Sequence, residues 1–171
     1  MNRNRLHVLC IAAILGCTAA CTQPQDAAGD EKARQAEIRA WLDRWAKAFS
    51  ARDTKAIMAL YAPDVLAYDL VPPLQYAGKD AYGKDYETFL AQYDGPVQVE
   101  FGDVHITTTP TLSYSAVLER VVGTVKGQKS DMWVRVTSVY KKIDGNWLDV
   151  HDHVSVPTDM ETGKSMLDLK P

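Results

Sequence analysis

The residues best suited to chemistry lie in two places: Asp69, and the run Asp149-Val150-His151-Asp152-His153-Val154-Ser155. Asp69 falls among Tyr68, Leu70 and Pro72. A carboxylate half-buried in such company holds its proton more tightly than one in water. That suits a general base taking a proton from a carbon beside a carbonyl. The same side chain could instead cap the turn into Pro72-Pro73. His151, His153 and Ser155 alternate along one expected strand, so they should share a face with each other and with Trp147 and Asp149. Two imidazoles about 7 Å apart could pass protons or hold an anion. They could also bind a metal if Asp69 or His105 completed the set, but no spacing demands that third ligand and no metal is assigned. Hydrogen-bonded structural histidines at a pocket or a dimer face are the plainer alternative.

Arg135 shares a strand face with Trp133 and Thr137, where a guanidinium could pair with a ligand carboxylate. Arg120 is a second option, and a surface salt bridge is an equal alternative. Tyr68, Tyr82, Tyr86 and Tyr93 could line a pocket, or simply fill a core. No nucleophile motif, phosphate loop or dinucleotide fingerprint occurs, and no cofactor is expected.

Helices and strands must position these groups. From Glu31 the residues Ile38, Trp41, Leu42, Trp45, Ala48 and Phe49 recur at three- and four-residue spacing, one apolar stripe of a long helix. Ser50-Ala51-Arg52-Asp53 breaks it, and Asp53 is a suitable N-cap for a short second helix carrying Ile57, Leu60 and Tyr61. Val65 to Val71 reads as a strand closed by Pro72-Pro73. Gly78 precedes a third helix, which Asp94-Gly95-Pro96 ends. Four strands follow: Val97 to Ile106, with a phase shift at Gly102-Asp103 that predicts a bulge; Leu112 to Val125; Met132 to Lys142; and, after the hairpin signal Asp144-Gly145, Trp147 to Val156. This order predicts an α+β fold, three N-terminal helices packed on a curved antiparallel sheet, a cone with an apolar mouth.

The chain has 171 residues and a net charge of −3 with both signs interspersed, which favours one domain and argues against nucleic-acid binding. All three cysteines (Cys10, Cys17, Cys21) precede the domain, so the domain is expected to stand on its core without disulfides. Arg3 and Arg5, the apolar stretch Leu6 to Leu15 and the small residues up to Ala20 are laid out as a secretory signal, too short to span a bilayer. Thr18-Ala19-Ala20-Cys21 resembles a bacterial lipobox, which implies lipidation at Cys21; Ile14-Leu15-Gly16-Cys17 is an alternative, and plain cleavage near Ala20 another. The organisation expected is a lipoprotein signal peptide over 1–20, a lipidated cysteine and flexible tether over 21–30, one domain over 31–160 and a tail over 161–171. The membrane would be met through the lipid anchor only. Thr22, where sorted lipoproteins of the inner membrane carry Asp, implies by the same resemblance a lipid-anchored protein of the outer membrane facing the periplasm.

Two segments point to a family. Ala51-Arg52-Asp53 with Ala56-Ile57-Met58-Ala59-Leu60-Tyr61-Ala62-Pro63-Asp64 resembles the opening of the NTF2-like superfamily, which includes SnoaL-like cyclases, ketosteroid isomerases and the association domain of calcium/calmodulin-dependent kinase II. Asp144-Gly145-Asn146-Trp147-Leu148-Asp149-Val150-His151-Asp152-His153-Val154-Ser155 is similar to the ending of the SnoaL-like and association-domain branch. The resemblance covers about 31–157. It implies a conical pocket, a homodimer formed through the sheet, and a general-base role for Asp69, which stands where ketosteroid isomerases carry theirs. The other isomerase positions fall on Trp45 and near Thr137, neither of which supplies an acidic donor, so a steroid isomerase is not expected.

Three functions are compatible with these features. The first is an envelope-anchored domain that binds a small, possibly anionic organic ligand through Arg135, Tyr68, Trp45 and Ser155. The second is a cofactor-free isomerase, lyase or dehydratase with Asp69 as base and His151 or His153 as acid partner. The third is an oligomerisation or accessory module.

Overall fold

The computed structural model describes residues 24–171. The segment expected to be a signal peptide and Cys21 lie outside the described residues. Helix α1 (Pro24–Ser50) is followed by a short α2 (Thr54–Met58), strand β1 (Tyr61–Tyr68), a two-residue β2 (Tyr76–Ala77), helix α3 (Lys79–Leu90) and four long strands, β3 (Gln98–Thr108), β4 (Leu112–Val125), β5 (Gln128–Ile143) and β6 (Asn146–Ser155).

The apolar stripe of α1 is the buried one: Ile38, Trp41, Leu42, Trp45, Ala48 and Phe49 all pack into the core. Arg52 ends the helix in the left-handed region (φ 53). The Arg52 and Asp53 amides bond back to the Phe49 and Ala48 carbonyls at 2.9 Å each, a Schellman-type closure. Asp53 Oδ1 then accepts the Ala56 amide at 2.9 Å and starts α2, as its cap position predicts. Several boundaries differ from expectation: β1 ends at Tyr68, short of Val71, and β5 begins at Gln128, ahead of Met132. Helix α1 begins at Pro24, inside the stretch expected to be a tether, because proline costs nothing at a first helical position and alanines carry the helix onward. Tyr61 leaves α2 and opens β1, because the Leu60 carbonyl accepts the Asp149 amide of β6 at 3.0 Å and fixes a strand there.

The sheet has six strands in the order β2-β1-β6-β5-β4-β3. The β3–β6 meander is antiparallel, but β1 pairs with β6 in parallel, so the sheet is mixed, where a purely antiparallel one was expected. A parallel neighbour needs a long connection, and the whole of α3 and β3 to β5 supplies it. Strand β2 was not expected; its two residues pair with Leu66 and Ala67 and bring the chain back to Gly78. Gly78 has φ 86, a region open to glycine at little cost, and its amide bonds the Val65 carbonyl at 2.7 Å.

Besides a register shift between Tyr61 and Leu66 where β1 pairs with β6, two bulges bend the sheet. One lies between Gly102 and His105, where the phase shift predicts it. The other falls in β6: Asp149 pairs with Tyr140, yet His151 pairs with Val139. One extra residue, Val150, is therefore inserted in β6, and everything after it changes face.

Candidate functional site

The helices and the concave face of the sheet enclose a cavity of about 440 Å³. Trp41, Trp45 and Phe49, spaced by one helical turn on α1, form one wall. Tyr82 and Tyr86 of α3 form a second, and Val117, Glu119 and Val121 of β4 with Val134, Val136 and Ser138 of β5 form the third. Each strand contributes alternate residues, as one face of a pleated sheet requires.

Asp152 stands at the centre of the polar part. It is 3% exposed and faces inward because the β6 bulge turned it there. Its Oδ2 accepts from the Tyr61 hydroxyl at 2.8 Å, and its Oδ1 accepts from Ser138 Oγ. With the Tyr61 proton spent on Asp152, the Tyr86 hydroxyl, 3.0 Å away, donates to Tyr61, and Trp45 Nε1 donates to Tyr86 at 3.3 Å. The result is a directed chain, Trp45 to Tyr86 to Tyr61 to Asp152. Burial, reinforced by neighbouring negative charge, raises the pKa of Tyr61, Tyr82 and Tyr86 well above the usual value, so all three stay neutral donors. Asp149 lies behind Asp152, fully buried, with no protein donor in good geometry for either oxygen. Burial and then the Asp152 charge push its pKa well above the carboxylate range. Asp149 thus holds its proton more tightly than an exposed aspartate does.

Asp69 follows β1 and lines the cavity. The Leu70 amide donates to its Oδ1 at 2.5 Å, and the Tyr82 hydroxyl donates to its Oδ2 at 3.0 Å. Burial raises its pKa, opposed by those two hydrogen bonds. Glu119 is 8% exposed, and its pKa is pushed up to about 8, first by burial and then by the charges of Asp152 and Asp69. Asp85 lines the mouth and accepts from the Tyr76 hydroxyl at 2.8 Å. Among the described residues, no lysine, arginine or histidine lines the cavity.

The C-terminal tail closes one side. It doubles back through the Thr158–Ser165 bridge, and the Met166 amide bonds the Pro157 carbonyl at 2.9 Å. This places Ser165 and Leu167 on the cavity.

Of the residues singled out from sequence, Asp69, Trp45 and Ser155 come together here. His151, His153, Tyr68 and Arg135 do not. The β6 bulge separates the histidines from Trp147 and Asp149, so the shared face expected for them does not exist. His151 Nδ1 instead meets the Leu66 carbonyl at 2.8 Å, and His153 is exposed. Both rings pack edge-on against Tyr68, with centroids 5.0 and 5.8 Å from its own. Tyr68 is 37% exposed and lies outside the cavity lining. Arg135 is exposed, of opposite phase on β5 to the lining residues Val134 and Val136, so it cannot orient an anion inside. His105 sits on β3, three strands from β6. Arg120 is held by Asp131 and Glu100 at 2.8 and 2.9 Å.

Sequence reasoning missed Asp152 and Glu119. Glu119 was readable: it interrupts the inward row Ser113, Ser115, Val117, Val121. Asp152 was hidden by the bulge.

A curved sheet wrapped on helices around one aromatic, carboxyl-lined cavity defines an NTF2-like domain. Residues 38–159 match the SnoaL-like domain family, and the chain belongs to it. Among solved structures, an NTF2-like protein of unknown function from Pseudomonas putida KT2440 is 33% identical, covering 82% of this chain and 98% of its own, with a TM-score of 0.75. A protein from Xanthomonas campestris described as a candidate calcium/calmodulin-dependent protein kinase II association domain is 25% identical, covering 78% and 88%, with a TM-score of 0.64. A candidate dehydratase of the NTF2-like family from Streptomyces avermitilis shares the fold at 15% identity, covering 73% and 97%, with a TM-score of 0.64. No curated protein gives a significant match.

Proposed function

We propose that the cavity binds a small organic molecule with a largely apolar body and that Asp69 moves a proton on it, in a cofactor-free isomerisation, elimination or dehydration. One observation carries this reading. The Asp69 carboxylate faces the cavity, fixed by the Leu70 amide and the Tyr82 hydroxyl. A base held so needs no reorganisation at the moment of transfer. Its raised pKa makes it a stronger base than a surface aspartate. The absence of basic side chains among the described residues of the lining favours a ligand that is not an anion. Screening carbonyl and hydroxy compounds for solvent-deuterium incorporation at carbon tests the reading. Incorporation that vanishes in Asp69→Asn supports it, and incorporation that survives the substitution excludes Asp69 as the base.

We also propose that Cys21 is acylated and anchors the domain to the outer membrane, facing the periplasm, and that two copies pair through the outer face of the sheet. The signal-like sequence supports the first and the family resemblance the second. Mass spectrometry of the mature N-terminus tests the anchor; an unacylated start would overturn it. Light scattering on the purified domain tests the dimer.

A further inference from the structure

The lining of the cavity combines two features that the proposed proton transfer does not use. The first is Glu119. It projects among apolar neighbours, and no described residue hydrogen-bonds its carboxyl. A buried polar group without a partner costs free energy that a bound molecule can recover. The other carboxyls of the lining are provided for: Asp152 by Tyr61 and Ser138, Asp69 by Tyr82 and Leu70, and Asp85 by Tyr76.

The second feature is the set of rings beside Glu119. Phe101 is its direct partner across the β3–β4 pair, so the two side chains stand on the same side of the sheet about 5 Å apart at their Cβ atoms. The Phe101 ring lies 6.2 Å from Trp45. Trp45 in turn stacks on Phe49 at 4.9 Å and meets Tyr86 edge-on at 6.3 Å. Aromatic faces around an uncompensated carboxyl attract a weakly hydrated cation by both charge and ring quadrupole. Among the described residues, no cationic side chain of the lining competes for the place.

We propose that the ligand of this cavity is an organic cation, an amine or quaternary ammonium on an apolar body, with its charged group seated between Glu119 and the Phe101–Trp45 rings. This names the substrate class of the site proposed above and rests on that reading. Asp69 remains free to act as base once the cation is neutralised by Glu119. Binding also releases a proton, because Glu119 holds one below about pH 8 in the empty cavity. The titratable groups that share the cavity with Glu119 are Asp152 from β6, Asp69 after β1, Tyr61 from β1 and, from α3, Asp85, Tyr82 and Tyr86; α1 presents only apolar and indole side chains to the cavity.

The test compares three probes on the soluble domain by calorimetry: trimethylphenylammonium, 2-phenyl-2-propanol and benzoate. The ammonium ion is expected to bind at least ~10-fold more tightly than the alcohol, with benzoate weakest. Its own charge does not titrate, so its affinity should rise as pH climbs from 6 towards 8 and level off above. Glu119→Gln should abolish that pH dependence and Phe101→Leu should weaken the ammonium alone, with far-ultraviolet dichroism confirming that both variants fold. Equal or tighter binding of the alcohol, or a Glu119→Gln variant with unchanged ammonium affinity, overturns the inference and leaves the binding reading standing. Failure of all three probes to bind overturns both.

Discussion

The Tyr82 hydroxyl lies 3.0 Å from Asp69 Oδ2 and has one proton to give, although Asp152 Oδ2 waits 3.3 Å away on its other side. Tyr61 and Ser138 already serve Asp152, so the Tyr82 proton is free for Asp69. The buried network therefore reaches Asp69, the base proposed above, through one shared hydroxyl.

Tyr82→Phe removes that bond. The hydrogen bond from Tyr82 lowers the Asp69 pKa, so its loss raises the pKa further. Asp69 works as a base only when ionised, and activity falls as pH drops through its pKa. The acid limb of the rate profile should move to higher pH in Tyr82→Phe, while the rate at high pH changes much less. An unmoved limb would show that Tyr82 does not tune the base.

Asp69→Asn keeps the shape and removes the proton acceptor. Turnover should fall by about 10²–10⁴-fold, the usual worth of a general base, with probe affinity nearly unchanged. Steady-state rates and calorimetry on the same preparation separate the two effects.

Glu119 makes stability depend on pH. Its folded pKa, about 8, stands above the ordinary 4.5. Between these values the unfolded chain has lost the proton that the folded chain keeps, so this group's contribution to stability is full below about pH 4.5 and is lost as pH rises towards 8. Glu119→Gln should melt higher than the parent at pH 8.5, and the gap should shrink at pH 5. Thermal melts at the two pH values decide it; a gap that is the same at both would count against a titrating Glu119.

His151 and His153 lie on the outer face, and His151→Ala and His153→Ala should leave ligand affinity in the cavity unchanged. His151→Ala should lose about 1 kcal/mol of stability with its bond to the Leu66 carbonyl. A changed affinity would mean that the outer face reports to the cavity.

The sequence made the helices legible because their signals are local: the stripe from Ile38 to Phe49, the cap at Asp53, and the stop at Asp94-Gly95-Pro96. Asp69 was legible too, since it stands alone at a strand end against two prolines. The partner set was not. Alternation along β6 predicts one face for Trp147, Asp149, His151 and His153, and a single inserted residue at Val150 undoes it. A bulge has no strong local signal unless glycine or asparagine marks it, as at Gly102-Asp103. The parallel β1–β6 pairing depends on residues far apart in the chain and leaves no periodicity of its own.

Helix α1 spans 27 residues, about 40 Å at the usual rise. Its described early residues, 28–33, are exposed. With Cys21 acylated as proposed, only Thr22 and Gln23 separate the lipid from the first helical residue. The attachment then behaves as a short swivel carrying a stiff strut. The domain would then stay within a strut's length of the bilayer, and its cavity would sample molecules in the layer of solvent beside the membrane.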